Sequence, residues 1–339
     1  MRFRNSAAAL FLMVAVLPLS AAAQTPAEFY KGRTVNLYIG FSAGGGYDLY
    51  ARALARHMGR HLPGNPQIVP QNMAGAGSLR VANFIQQVAP RDGSAFATMG
   101  RGSAFGPLFG QSGAQFDPLK LTWLGSMNDE VSLCVAWHTS GIAKFDDLRA
   151  KSAAFGATGP AEEAVMIGKA MNALLGTKVQ TVSGYPGGNE INLAIERGEI
   201  DGRCALSWSS IKAAHPAWLD DRKVVLLVQV SYSKHAELPH VPLILDLAPS
   251  EEARQILKIM AARQVMGRPF FAPPDLPADR AAALRKAFME TLKDPDFLAE
   301  ADKTKLEILP VTPERVDALV REIYATPATI VQKAATFIN

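Results

Sequence analysis

The spacing of apolar positions changes period several times along the chain, and each change marks a boundary between elements. Thr34 to Ile39 is a short run rich in β-branched and aromatic residues. From Tyr47 to His61 the apolar positions recur at helical spacing, with Leu54 and Met58 four apart and Ala51 and Ala55 on the adjacent row. Ser42-Ala43-Gly44-Gly45-Gly46 lies between them, so the order predicted is strand, glycine loop, helix. A second strand at Gln67 to Val69, a loop with Gly75 and Gly77, a helix from Leu79 to Val88 and a third strand from Ala95 to Met99 follow. Strands alternating with helices predict a parallel sheet flanked by helices.

The plan then restarts. Val131 to Trp137 reads as a strand, Lys144 to Lys151 as a short helix, and Ala154 to Thr158 as a strand running into Gly159 and Pro160. A helix from Ala161 to Leu175 closes at Gly176. Val179 to Ser183 leads through Gly184-Tyr185-Pro186-Gly187-Gly188 into a helix from Asn189 to Arg197, and strands at Arg203 to Leu206 and Val224 to Val230 complete the second unit. Beyond residue 250 the pattern turns helical, at Glu251 to Gln264, Ala278 to Lys293 and Pro313 to Tyr324. This tail is expected to pack on the first unit. Two α/β units of similar plan predict a bilobed receptor, with residues 24–125 and 245–339 in one lobe and 126–244 in the other.

Composition narrows the class. At 339 residues the chain exceeds a single small module, and 48% hydrophobic against 19% charged residues excludes wholesale disorder. Arg2 and Arg4, the 13 apolar residues Ala7 to Leu19, and Ser20-Ala21-Ala22-Ala23 have the layout of a secretory signal spanning residues 1–23. The apolar run is shorter than the roughly 20 residues that a membrane span needs. Export to the periplasm is the expectation. The formal charge is +4, and without Arg2 and Arg4 about +2, which is too nearly neutral for a nucleic-acid binder. Cys134 and Cys204 are the two cysteines; an oxidising compartment permits a disulfide between them, and two buried thiols fit the same strand-like runs.

Four glycine-containing loops fall at predicted strand-to-helix junctions: Phe41 to Asp48, Asn72 to Ser78, Thr158 to Glu162, and Tyr185 to Asn189. Glycine lets a ligand approach the backbone, and free N–H groups at a helix N-terminus attract anions, so four such loops on two lobes point to an anion cleft. Tight turns use the same residue types. The candidate contacts are Phe41, Ser42, Ala43, Gly44, Gly45, Asp48, Gly75, Ser103, Thr158, Glu162, Gly187 and Gly188, with Arg101 at the carboxyl end of the third strand as a carboxylate clamp. Tyr185 and Trp208 are positioned to wall a carbon skeleton, or simply to pack. Arg203, at the amino end of its strand, is excluded as a contact. His57 and His61 stand four apart on one helix but lack a third metal ligand. No nucleotide fingerprint is present, because position 49 is Leu where G-x-G-x-x-G needs glycine, and no G-x-x-x-x-G-K-[ST], G-x-S-x-G or H-E-x-x-H occurs.

At Tyr30-Lys31-Gly32-Arg33-Thr34-Val35, Phe41 to Asp48, and Asn72-Met73-Ala74-Gly75-Ala76-Gly77 the sequence resembles the Bug-type extracytoplasmic receptors of tripartite tricarboxylate transporters. The likeness continues through Pro90-Arg91-Asp92-Gly93, Tyr185-Pro186-Gly187-Gly188, Phe271-Ala272-Pro273 and Lys293-Asp294-Pro295-Asp296. It implies a type II-like, Venus-flytrap periplasmic-binding-protein fold of two α/β lobes joined by crossing strands. It also implies a monomer without cofactor that captures a small organic acid, largely through backbone amides, and passes it to integral-membrane transporter subunits. One segment departs: where the family commonly has G-x-G-S-x-x-H, this chain has Gly156-Ala157-Thr158-Gly159-Pro160-Ala161-Glu162-Glu163. A ligand-sensing partner of a signalling protein, and an exported enzyme with Glu162 or Glu163 as base, are the competing readings.

Overall fold

The computed structural model describes residues 24–41, 43–44, 46–157, 163–185 and 188–338. The secretory signal over residues 1–23, and Ser42, Gly45, Thr158, Glu162 and Gly187 as ligand contacts, lie outside the described residues. The chain begins with α1 (Pro26–Tyr30), whose N-cap Thr25 forms a reciprocal capping box with Glu28, then β1 (Thr34–Ile39) and α2 (Gly46–Met58). β2 (Gln67–Asn72), α3 (Leu79–Gln87), β3 (Ala95–Thr98) and β4 (Thr122–Ser126) follow. The second unit comprises β5 (Ser132–Trp137), α4 (Asp147–Ala150), β6 (Ala153–Ala157), α5 (Glu163–Leu175), β7 (Val179–Ser183), α6 (Gly188–Glu196), β8 (Gly202–Ser207), α7 (Trp208–Ala214), α8 (Pro216–Asp220) and β9 (Val224–Val230). The tail holds α9 (Glu251–Val265), β10 (Pro269–Ala272), α10 (Ala278–Thr291), α11 (Pro295–Lys303), α12 (Pro313–Tyr324) and α13 (Ala328–Ile338).

Two five-stranded sheets result, ordered β2-β1-β3-β10-β4 and β7-β6-β8-β5-β9. Each has a parallel trio, but neither is wholly parallel: β10 runs antiparallel to β3 and β4, and β5 antiparallel to β8 and β9. The reason is the connection. The chain leaves the first sheet after β4, builds the second around β5, and returns after α9 to insert β10. Sequence periodicity misses β10 because Pro269 heads it and Pro273 follows it. Pro is tolerated at the first residue of a strand, and Phe270 and Phe271, both fully buried, contribute about 1.5–3 kcal/mol each from opposite faces of the sheet. β4, α11 and α13 are further elements that the spacing did not separate.

The tail does not pack on the first sheet alone. α10 and α12 cover β4, and α11 covers α2, while α13 contacts α9, α5 and the Pro107–Phe109 turn, so it touches both halves of the molecule. Cys134 and Cys204 form a disulfide between β5 and β8, closing a separation of 70 residues. A loop of that length removes about 4 kcal/mol of unfolded-chain entropy in the chain-entropy account. His57 and His61 pair with Glu300 (2.7 Å) and Asp294 (2.6 Å), and among the described residues no group of three or more side chains is arranged to hold a metal. None of the described helices is long and apolar enough to cross a membrane.

Gly202 shows how tightly β5 and β8 approach. A Cβ there would lie 2.0 Å from the Val135 carbonyl oxygen, a backbone atom that cannot move without breaking the ladder. Gly202→Ala is expected to destabilise the fold by about 3 kcal/mol, the upper end of the overpacking range, as a lower denaturant midpoint with unchanged slope. A midpoint within error of wild type would show that the second sheet is not packed as described.

Candidate functional site

The loops at the carboxyl ends of β1, β2 and β3 are tied into one platform. Asp48, only 2% exposed, accepts hydrogen bonds from the Gly44 amide (2.9 Å), Arg52 Nε (2.9 Å) and Asn72 Nδ2 (2.8 Å). Asn72 also donates to the Phe41 carbonyl, so one carboxylate joins the first loop to the second. Burial pushes the Asp48 carboxyl up, but Arg52, the Gly44 amide and Asn72 outweigh it and hold it below the usual carboxylate value. Asp48 thus braces the loop.

The second and third loops are joined by hydroxyls. Gly75, Ala76, Gly77 and Ser78 all have positive φ, which turns the chain sharply before α3. Ser78 Oγ accepts from the Gly100 amide (2.8 Å) and meets Ser103 Oγ (2.9 Å), and Ser103 Oγ donates to the Gly77 carbonyl (2.9 Å). The Arg101 amide donates to Tyr47 Oη (2.8 Å), and Phe41 stacks on Tyr47 with ring centroids 4.2 Å apart. Phe41, Gly44, Asp48, Gly75, Arg101 and Ser103 therefore belong to one framework, and Ala43 is exposed beside it.

Arg101 reaches across to the second lobe. Its Nη2 donates to Glu163 Oε2 at 2.8 Å, with side chains 15% and 13% exposed, so this arginine has a carboxylate partner within the chain. Glu163 is the first residue of α5, and its other oxygen accepts from Gln264 Nε2. Burial works against both charges. The Glu163 carboxylate, Tyr47 and Glu130 overcome it to raise Arg101, and the Arg101 and Arg263 guanidiniums overcome it to lower Glu163.

The chain returning between the lobes adds groups that sequence reading passed over. Arg263, at the end of α9, lies against Gly102, where a Cβ would be 3.1 Å from its Nη1, and it donates to Met166 Sδ at 3.5 Å. Arg268, just before β10, lies over the Tyr47 and Tyr50 rings at 4.7 and 4.9 Å and donates to the Gly267 carbonyl. Neither makes an ion pair among the described residues, and the Nε of each is buried without a hydrogen-bond partner. Glu130, fully buried, accepts from Ser209 Oγ, Asn128 Nδ2 and the Val131 amide. Asn128 Oδ1 and Gln264 Oε1 are buried and unpartnered. The available signal was an Arg-Gln pair at positions 263 and 264 inside the apolar run from Ile259 to Met266.

The second-lobe candidates divide. Trp208 is buried and donates from Nε1 to Glu237 Oε2 (2.6 Å), while Tyr185 is half-buried against the same apolar cluster. Gly188 starts α6, and its carbonyl accepts from Arg203 Nη1 at 3.1 Å. Arg203, set aside by strand polarity, thus supports this loop from beneath and also binds Asn192 Oδ1. Lys212 forms a second bridge between the halves, donating to Glu237 (2.8 Å) and to Glu307 (3.1 Å).

Two five-stranded α/β sheets linked by two chain crossings, with a buried ion pair between them, have the architecture of a bilobed periplasmic-binding-protein fold. The structure is similar to a TctC solute-binding protein from Polaromonas, at 17% identity over 90% of this chain and 99% of that one, with a TM-score of 0.69. It is similar to MatC from Rhodopseudomonas palustris, solved with bound malate, at 20% identity over 88% and 99% (TM-score 0.62). It also resembles the periplasmic binding protein BugD, at 20% identity over 90% and 98% (TM-score 0.61). No protein-family model matches the sequence, and no curated protein matches it.

Arg101→Ala removes one partner of a nearly buried pair, a loss of about 3–5 kcal/mol that opening of the lobes relieves by returning Glu163 to water. Small-angle scattering is expected to show a larger radius of gyration, with Arg101→Lys intermediate. Because the folded Glu163 value lies below the ordinary 4.5, the pair's contribution is complete above that pH and is lost as pH falls through the lowered value. Acidification should open wild type and leave the Arg101→Ala radius unchanged. A compact mutant at neutral pH would show that the pair does not hold the lobes.

Proposed function

We propose that this chain is a periplasmic solute receptor that closes two lobes around a small carboxylate and delivers it to an integral-membrane transporter of the tripartite tricarboxylate type. The observation that carries this reading is the placement of Arg263 and Arg268. Two largely buried guanidiniums without ion-pair partners, each set against a loop of the first-lobe platform, need an anion to satisfy them. A carboxylate accepts from a guanidinium through two parallel bonds and is smaller than the lobes that cover it.

The bilobed neighbours support the reading by what they hold: malate in one, and adipate in a second Rhodopseudomonas palustris protein of 17% identity and TM-score 0.63. The mechanism follows from the framework. The first-lobe loops are braced by Asp48, Ser78 and Ser103 before any ligand arrives, so they present amides and guanidiniums without reorganisation. Closure brings α5 and α6 over the ligand, and the ligand's differential contacts with the closed form draw the lobes together. On this reading the site binds its ligand without turnover. Residues 1–23 are then the export signal of a periplasmic receptor, with residues 24–125 and 245–339 in one lobe and 126–244 in the other.

A melting screen with mono-, di- and tricarboxylates tests this. An acid at 100 times its dissociation constant should stabilise the fold by about 2.7 kcal/mol. Arg268→Ala should weaken the best acid by roughly 10- to 150-fold in calorimetric titration, the worth of a hydrogen bond to a charged group. No shift with any carboxylate would remove the reading. An unchanged affinity in Arg268→Ala would remove that residue from the site.

A further inference from the structure

Described charged side chains around the cleft are Arg101, Arg263 and Arg268 against Glu130 and Glu163, with Asp48 balanced by Arg52, a surplus of one positive charge. Glu130 is committed to the hinge through Ser209, Asn128 and the Val131 amide. Glu163 differs. It sits in the first turn of α5 and spends both oxygens on neighbouring groups, Arg101 Nη2 on one side and Gln264 Nε2 on the other. Those are the donors that a ligand carboxylate would use. Taking the cleft as a carboxylate site, we infer that Glu163 is an internal anion that already occupies one of its two anion positions, so that the ligand carries a single negative group, held by Arg263 and Arg268.

The charge count gives the physical reason. A monoanion neutralises the one surplus positive charge and leaves the Arg101–Glu163 pair intact. A dianion must either stand against Glu163 at short range or displace it from Arg101, leaving a carboxylate nearly buried and unpaired. Either route disfavours the second charge, and specificity of this kind is set by the repulsive element as much as by the attractive one. Glu163→Gln keeps the side-chain shape and an acceptor for Arg101 while removing the charge, so it should open the second position to a ligand carboxylate.

The test uses acids matched in length and differing by one charge: succinate with succinamate, glutarate with glutaramate, and adipate with adipamate. Each is titrated calorimetrically into wild type, Glu163→Gln and Glu163→Ala, with melting curves to confirm folding. Wild type is expected to bind the best monoamide at least about tenfold more tightly than its diacid. Both variants should move that ratio by at least about tenfold towards the diacid. If Glu163 is only a latch between lobes, both members of a pair will change affinity by the same factor and the ratio will stay fixed, which overturns the inference alone. A wild type that prefers the diacid overturns it as well. Silence from all six acids in every variant overturns the carboxylate reading, and the inference with it.

Discussion

The arrangement of the molecule depends on how buried charge is satisfied where the lobes meet. Arg101 on one lobe and Glu163 on the other lie almost out of water, 2.8 Å apart, and neither can remain there without the other. Such a pair adds little net stability against an apolar alternative. Its value is positional: it fixes which atoms face each other when the lobes are closed. Arg263, Gln264, Arg268, Asn128 and Glu130 surround it, and several of their polar atoms remain unpaired. Of these atoms only the Arg263 and Arg268 Nε–H groups are donors, and they are what the proposed anion would satisfy.

Rigidity and freedom are divided between parts. On the first lobe a single buried carboxylate, Asp48, and two serines, Ser78 and Ser103, lock three loops to one another, so their relative geometry is fixed within the lobe. The second lobe is stiffened across its sheet by the Cys134–Cys204 bridge and the close approach at Gly202. Between the lobes lie two chain crossings, from β4 to β5 and from β9 towards β10, and these are where closure can be absorbed. The α13 helix touches both halves, and the Lys212–Glu307 bridge adds a contact away from Arg101. Opening must therefore slide packed surfaces as well as bend the crossings.

Local periodicity determined most of the elements on its own. Thr34 to Ile39, Val179 to Ser183, Val224 to Val230 and the helix from Pro313 to Tyr324 emerge as read, because apolar spacing and capping residues act within a few positions of chain. The turns at Gly44 and at Gly75 to Ser78 were legible for the same reason: their residue types are needed for local backbone geometry. Two lobes followed from the repetition of the α/β plan. The direction of β10, the partners of Trp208 and Asp48, and the pairing of Cys134 with Cys204 were decided only by tertiary structure. So was the chemistry of the cleft. Arg101 and Glu163 are 62 positions apart, and Arg263 and Arg268 come from a segment that enters the first sheet last. Charge pairing across that distance leaves no periodic trace in a sequence; it arises when two crossings bring distant loops to one place and burial forces their charges to find each other.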